Sequence, residues 1–219
     1  MKEILKLTFS LTLICAIAGA ALAYVSYSTE KPRKEAKLRQ RNEKMALLLP
    51  CETASTDEFK TENLDDGTQV VFFVAKDADG LPLAYCAEGA DPSGFGGELK
   101  ILVGINLDGT VRGILVSENS ETPGIGSKVC ERSVTRSFWS VFRKKTDKTG
   151  ATSALPPNAY LDCYTGQSIP SNGFAFNDMK APGMVKPISG ATVSSTAVLN
   201  AVNRICKVWS ETFTTNALN

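Results

Sequence analysis

The residues of this 219-residue chain best suited to chemistry are hydroxyls set among small side chains, in the run Ser189-Gly190-Ala191-Thr192-Val193-Ser194-Ser195. Small residues there let a ligand approach the backbone. After them Val198, Val202, Ile205, Trp209 and Phe213 recur at three- and four-residue spacing, which predicts a helix with one apolar face packed on a sheet. Ser194 or Ser195 would cap its N-terminus. Such a terminus offers unpaired N–H groups and a positive dipole end to an anion such as a phosphate. On spacing alone, a capped surface helix explains the run as well as a phosphate site does.

What else could carry chemistry is limited by an absence: the chain has no histidine. It cannot form a Ser-His-Asp or Cys-His unit, a His-ligated zinc or haem site, or an imidazole pH switch. The six cysteines, at 15, 51, 86, 130, 163 and 206, stand at least 33 residues apart. No C-x-x-C pair exists to hold zinc, a cluster or a c-type haem within one loop. Buried thiols and one or two disulfides both remain open for the five cysteines outside the apolar N-terminal run. No catalytic residue and no metal ligand is predicted, so any chemistry near neutral pH would have to come from a cofactor or a partner.

Charge is distributed unevenly. Residues 28–48 carry Lys31, Arg33, Lys34, Lys37, Arg39, Arg41 and Lys44 against Glu30, Glu35 and Glu43, a net of +4, while residues 49–219 carry a net of −4. A mildly acidic body argues against nucleic acid as a partner, because a nucleic-acid binder places its positive charge on the folded domain. The basic block adjoins 19 uncharged residues, Leu7 to Val25, whose helix would span about 28 Å, the thickness of a bilayer core. An uncleaved anchor and a cleaved secretory signal ending at Ala21-Leu22-Ala23 both fit this start. Taken literally, the basic residues after the apolar run would keep the C-terminal side in the cytoplasm. The organisation expected is a membrane anchor over 1–27, a basic juxtamembrane helix or linker over 28–48 and one domain over 49–219.

That domain reads as α+β, an antiparallel sheet packed by helices. Gln69 to Ala75 and Leu81 to Glu88 are β-branched or aromatic-rich runs around Asp77-Ala78-Asp79-Gly80, a hairpin pattern. Glu98 to Asn106 and Thr110 to Ser117 flank Leu107-Asp108-Gly109, and Asp-Gly between apolar runs is a strong hairpin signal. Val129 to Phe142 is expected to be helical, and Arg143 to Gly183 to be dominated by loops, which often form binding surfaces. The loop Glu121-Thr122-Pro123-Gly124-Ile125-Gly126-Ser127-Lys128 combines a fixed φ at Pro123 with freedom at Gly124 and Gly126. It could lie against a planar ring or simply connect strand to helix.

Ser189-Gly190-Ala191-Thr192 resembles the flavinylation motif of the FMN-binding domain family. Three further segments resemble that family's sheet and loop in the same order: Gly94-Phe95-Gly96-Gly97-Glu98-Leu99-Lys100-Ile101-Leu102-Val103-Gly104-Ile105, Asp108-Gly109-Thr110-Val111, and Glu121 to Lys128. With its N-terminal anchor and length, the whole chain resembles the G subunits of Rnf-type ion-translocating electron-transport complexes. The C subunits of sodium-translocating NADH:quinone reductases share the domain and form the alternative. The resemblance implies FMN held covalently by a phosphoester to Thr192, beside Ser189, Gly190 and Ala191, with Glu121, Thr122, Gly124 and Ile125 against the flavin. It implies a separate flavin transferase that supplies FMN from FAD, and electron exchange with other Rnf subunits in ferredoxin:NAD oxidoreduction, the chain not being catalytic alone. It also implies a single-pass protein of the bacterial inner membrane with its domain on the periplasmic side, against the charge count. Two positions depart from the family pattern: Lys186 stands where an Asp is usual, and Asn119-Ser120 where His-Lys often precedes the Glu. Lys186 is the hint toward a flavin-free assembly or sensing module.

Overall fold

The computed structural model of the chain describes residues 2–64, 67–124, 126–132, 155–170, 172–177 and 182–214. Lys2–Leu48 form one helix, α1, of 47 residues. The apolar and basic segments, which read as separate elements, run together because nothing between them ends a helix. Thr29 Oγ1 donates back to the Val25 carbonyl at 2.8 Å, Glu30 and Lys34 pair one turn apart at 2.6 Å, and Pro32 is carried inside the helix. By length and composition α1 can cross a membrane, and its apolar window is not buried in protein. Contacts divide the chain between Asn42 and Glu43, inside the stretch expected to be a linker.

The folded unit is built on five strands: β1 (Ser55–Asn63), β2 (Gln69–Lys76), β3 (Pro82–Gly94), β4 (Gly97–Asn106) and β5 (Val111–Glu118). They pair antiparallel in sequence order, so each neighbour is reached by a short turn. Both hairpins expected from the sequence are present, as β2–β3 and β4–β5, and β3 continues through Gly94 to turn directly into β4. Strand alternation sorts the apolar side chains onto two faces. Phe72, Leu99, Ile101, Val103, Ile105 and Ile114 face helix α3 (Thr192–Trp209). Phe73, Ala75, Cys86, Leu102 and Leu115 form the opposite cluster with Met45, Leu48 and Leu49 from the end of α1 and just beyond it.

Helix α3 closes the first face. Val198, Val202 and Ile205 are fully buried and Trp209 nearly so, as their spacing predicts. Burying each such side chain contributes about 1.5–3 kcal/mol. Trp209 stacks on Phe213 at 4.0 Å and meets Tyr85 edge-on at 5.5 Å. An ion pair between Arg204 and the buried Asp91 ties the middle of α3 to β3.

Of the second expected helix, Val129 to Phe142, only the start falls among the described residues. α2 covers only Ser127–Cys130, because Glu131 turns to extended backbone (φ −94°, ψ 127°). Residues 133–142 of the expected helix lie outside the described residues. In the loop-rich stretch that follows, the described residues are held both by apolar burial, with Tyr160, Leu161, Tyr164 and Phe174 in the core, and by polar clamps. The Asn158 amide donates to the carbonyls of Val129 and Glu131 and its oxygen accepts from the N–H groups of Tyr160 and Leu161. Arg132, almost wholly buried, donates to Ile114 O, Pro156 O and Asp162. Gln167 bridges Cys163 O and the Gly183 N–H, each at 2.6 Å, beside two short parallel strands, β6 (Ala175–Phe176) and β7 (Met184–Val185). No disulfide joins any of the six cysteines.

Candidate functional site

The chain reaches α3 through a tight turn. Ala191 N–H donates to Ile188 O at 3.0 Å, and Gly190 sits at φ +82°, the left-handed region that glycine enters without strain. Ala191 is not yet helical (φ −132°, ψ 35°), and the first helical bond runs from Ser195 N–H to Ala191 O at 2.9 Å. The helix therefore starts at Thr192, two residues before the expected cap. Ala191 has no side chain that could cap it, so no cap offsets the positive end of the helix dipole.

Ser194 and Ser195 are not caps. They lie inside the first turn and are drawn to partners that no local rule names. Ser194 Oγ donates to Glu121 Oε2 at 2.8 Å. Ser195 Oγ accepts from Ile188 N–H at 3.2 Å, and its carbonyl accepts from the Tyr160 hydroxyl at 2.6 Å. Thr192, by contrast, is exposed, and among the described residues nothing engages its hydroxyl. Ser189 and Gly190 are exposed beside it, while Ala191 is buried.

Glu121 is the polar centre of this corner. It is 8% exposed, its N–H donates to Asn119 Oδ1 at 3.2 Å, and its Oε1 is sealed from solvent with no hydrogen-bond partner. A buried carboxylate oxygen without a donor is costly and rarely retained without a reason. Two glycines make room for the carboxylate, since a Cβ on Gly94 would lie 2.9 Å from Oε1 and one on Gly126 2.3 Å from Oε2, and a third lets the segments meet, since a Cβ on Gly96 would lie 1.9 Å from Ser120 O. The β3–β4 turn and the loop after β5 thus touch backbone to backbone. The charge is felt nearby: burial first, then Glu121 and Glu131, push the Cys130 thiol up to about 12.

Of the eight residues expected at the site, the structure joins Glu121 to the first turn that carries Thr192, and places Ser189, Gly190 and Ala191 in the turn leading to it. Thr122 and Gly124 are exposed in the loop beyond Glu121, which Gly124 N–H pins to Ser127 Oγ at 2.8 Å. Ile125 lies outside the described residues. Sequence reasoning missed Ser194 as the partner of Glu121 and the glycine cradle around it; the only available signal was the density of glycines at 94, 96 and 97. A separate cavity of 1110 Å³ is lined by Asp162, Cys163, Gln167, Met184 and Lys186 among others, and by none of the expected site residues.

These features suit FMN. An exposed hydroxyl at an uncapped helix N-terminus matches a phosphate ester, and small residues leave the approach open. The comparisons agree. The FMN-binding domain model matches residues 94–207. The chain is 30% identical over 204 residues to the G subunit of the ion-translocating oxidoreductase complex of Methanosarcina acetivorans, covering 92% of each chain. It is 23% identical to the G subunit of the Na(+)-translocating ferredoxin:NAD(+) oxidoreductase complex of Acetobacterium woodii, covering 95% of this chain and 92% of that one. A crystal structure of Shewanella oneidensis NqrC aligns with 72% of this chain and 65% of its own at a TM-score of 0.42 and 17% identity, a likeness too distant to carry weight. The family match begins at the glycine cradle and runs through the whole of the Glu121–Thr192 corner, and the chain belongs to the FMN-binding domain family.

Proposed function

We propose that this chain is a membrane-anchored flavoprotein subunit of an Rnf-type ion-translocating ferredoxin:NAD oxidoreductase, with FMN attached through its phosphate to Thr192. The observation that carries the attachment is the exposed, unengaged Thr192 hydroxyl at the uncapped start of α3, one helical turn fixed to Glu121. Attachment requires only an oxygen from this chain. Thr192 Oγ1 displaces AMP from the flavin-side phosphorus of FAD on a separate flavin transferase and gives its proton to that enzyme. The missing histidine is no obstacle, since the base belongs to the transferase. Ser189, Gly190 and Ala191 leave the backbone open to the phosphate, and Glu121, Thr122, Gly124 and Ile125 form the second flank. When bound, FMN supplies one-electron transfer, for which the protein provides position and electrostatics.

The relatives' membership of ion-translocating complexes and the apolar span of α1 support a single-pass inner-membrane protein that exchanges electrons with its partner proteins in the complex. We place its domain on the periplasmic side, where translocated domains override the positive-inside tendency. Purified full-length protein, co-expressed with a flavin transferase, should keep flavin fluorescence in a denaturing gel; a colourless band would overturn the reading in favour of a flavin-free module. For topology the structure favours Cys51 as reporter. It is exposed, whereas Lys100 is half-buried and, against the effect of burial, is held above its ordinary pKa by Glu98 and Glu118. An impermeant maleimide should label Cys51 in intact spheroplasts, and labelling only after lysis would place the domain inside.

A further inference from the structure

We infer that Phe95 is the face on which the flavin ring stacks, an inference that rests on the attachment of FMN at Thr192. Phe95 stands at the tip of the β3–β4 hairpin between Gly94 and Gly96, 71% exposed. That tip is not a loose loop. Gly94 pairs with Gly97 across the turn, and the backbone at Gly96 lies so close to Ser120 that no side chain could fit between them. The same contact zone holds Glu121, and Glu121 holds Ser194 in the first turn of α3, which Thr192 begins. A short chain of contacts therefore fixes Phe95 relative to the attachment threonine.

The three segments that meet at Glu121 each display an exposed apolar side chain: Phe95 on the hairpin, Pro123 on the loop and Val193 (49% exposed) beside Thr192. All three are carried by segments tied to the turn in which the polar attachment point lies. This arrangement suits a ligand whose anionic end is fixed at the helix N-terminus and whose far end is a flat, largely apolar ring system. Phe59, the other large exposed aromatic among the described residues of the folded unit, differs in a way that sharpens the point. Its ring already packs on Tyr85 and Phe213, each at 5.9 Å, whereas Phe95 has no ring partner among the described residues. An aromatic side chain has only two χ angles to order, and on a pinned backbone it offers a ring face at low entropic cost.

The test uses full-length protein carrying its covalent flavin. An indole in contact with an excited flavin quenches its emission, so Phe95→Trp should lose most of the flavin fluorescence while the amount of flavin released by proteolysis stays at the wild-type level. Phe59→Trp, at the remote aromatic cluster, should emit as the wild type does. Phe95→Ala should make the flavin more accessible to iodide in solution. A loaded Phe95→Trp protein that emits as strongly as Phe59→Trp overturns the stacking and leaves Phe95 as a contact for a protein partner. A wild-type protein that carries no flavin overturns the attachment itself, and the stacking with it.

Discussion

The two ends of α3 are built on opposite terms. From Val198 to Trp209 the helix is sealed against the sheet, with Arg204 paired to Asp91 and Trp209 stacked on Phe213. At its start, Thr192 and Val193 are exposed, no side chain caps the helix, and the buried Glu121 keeps one oxygen without a donor. The first arrangement satisfies every rule for stability, and the second breaks two of them within one turn. Local violations of that kind concentrate at functional sites and are offset elsewhere in the fold. The packed end gives the open end a fixed position, which is what attachment of a cofactor requires.

The largest expected effect separates the two ends by function. Thr192→Ala should abolish covalent flavin, seen as loss of the flavin mass on the α3 peptide, with little change in thermal unfolding because the side chain is exposed. Flavin found instead on Ser194, Ser195 or Thr196 would break the assignment. Ile205→Ala acts on the packed end: it should cost about 2–5 kcal/mol in denaturant unfolding, while the protein that remains folded still accepts flavin at Thr192.

Ser194→Ala tests the link between the ends. As a helix cap its loss would cost about 0.5–2 kcal/mol. Ser194 is instead the donor to a buried carboxylate, so removal leaves both Glu121 oxygens without a hydrogen-bond donor, at about 1–3 kcal/mol or more for a charged group. The double variant Ser194→Ala with Glu121→Ala should be less destabilised than the two single effects added together, since the pair acts as one unit. Additive losses would show that the hydrogen bond does not couple the loop to the helix.

A pH dependence should arise with one contributor near each end, its effect small just above pH 8.5 and growing from there. Cys130, beside Glu121, and Cys206, in the packed half, are each held at about 12, chiefly by burial. An unfolded thiol ionises near pH 8.5. Above that pH the unfolded chain releases protons that the folded chain keeps, so stability falls with rising pH from about 8.5 toward 12, by ~1.4 kcal/mol per pH unit for each thiol. Unfolding midpoints followed from pH 7 to 10 should show the decline, and Cys130→Ala or Cys206→Ala should each remove about half of the slope. An unchanged slope in either variant would mean that its thiol is not sealed as the fold places it.

Patterns with a fixed local period were legible in the amino-acid order. β-Branched, aromatic and apolar runs marked β2 to β5, Asp108-Gly109 marked their last turn, and three- and four-residue spacing marked the buried face of α3, because each signal lies within a few residues of its consequence. The run of 19 uncharged residues specified a helix able to span a membrane, and the missing histidine excluded whole classes of catalysis. The Gly-Ala-Thr segment pointed to Thr192 through family resemblance, and its exposure at the helix start is consistent with that role.

Other features depended on contacts between residues far apart in the chain. Ser194 looked like a cap because hydroxyls before an apolar run usually are; its partner, Glu121, lies 73 residues earlier. α2 stops at Cys130, where Asn158 bonds the carbonyls of Val129 and Glu131 from 29 and 27 residues away. Gly94 and Gly126 carried no sign in the sequence of a distant partner, whereas in the fold they leave the space into which the Glu121 carboxylate fits. Local order sets which elements form because backbone preferences and apolar periodicity act over one or two turns. The first turn of α3, its buried carboxylate and the exposed threonine beside it were decided by tertiary packing, where two segments must approach within atomic contact before either polar group has a partner.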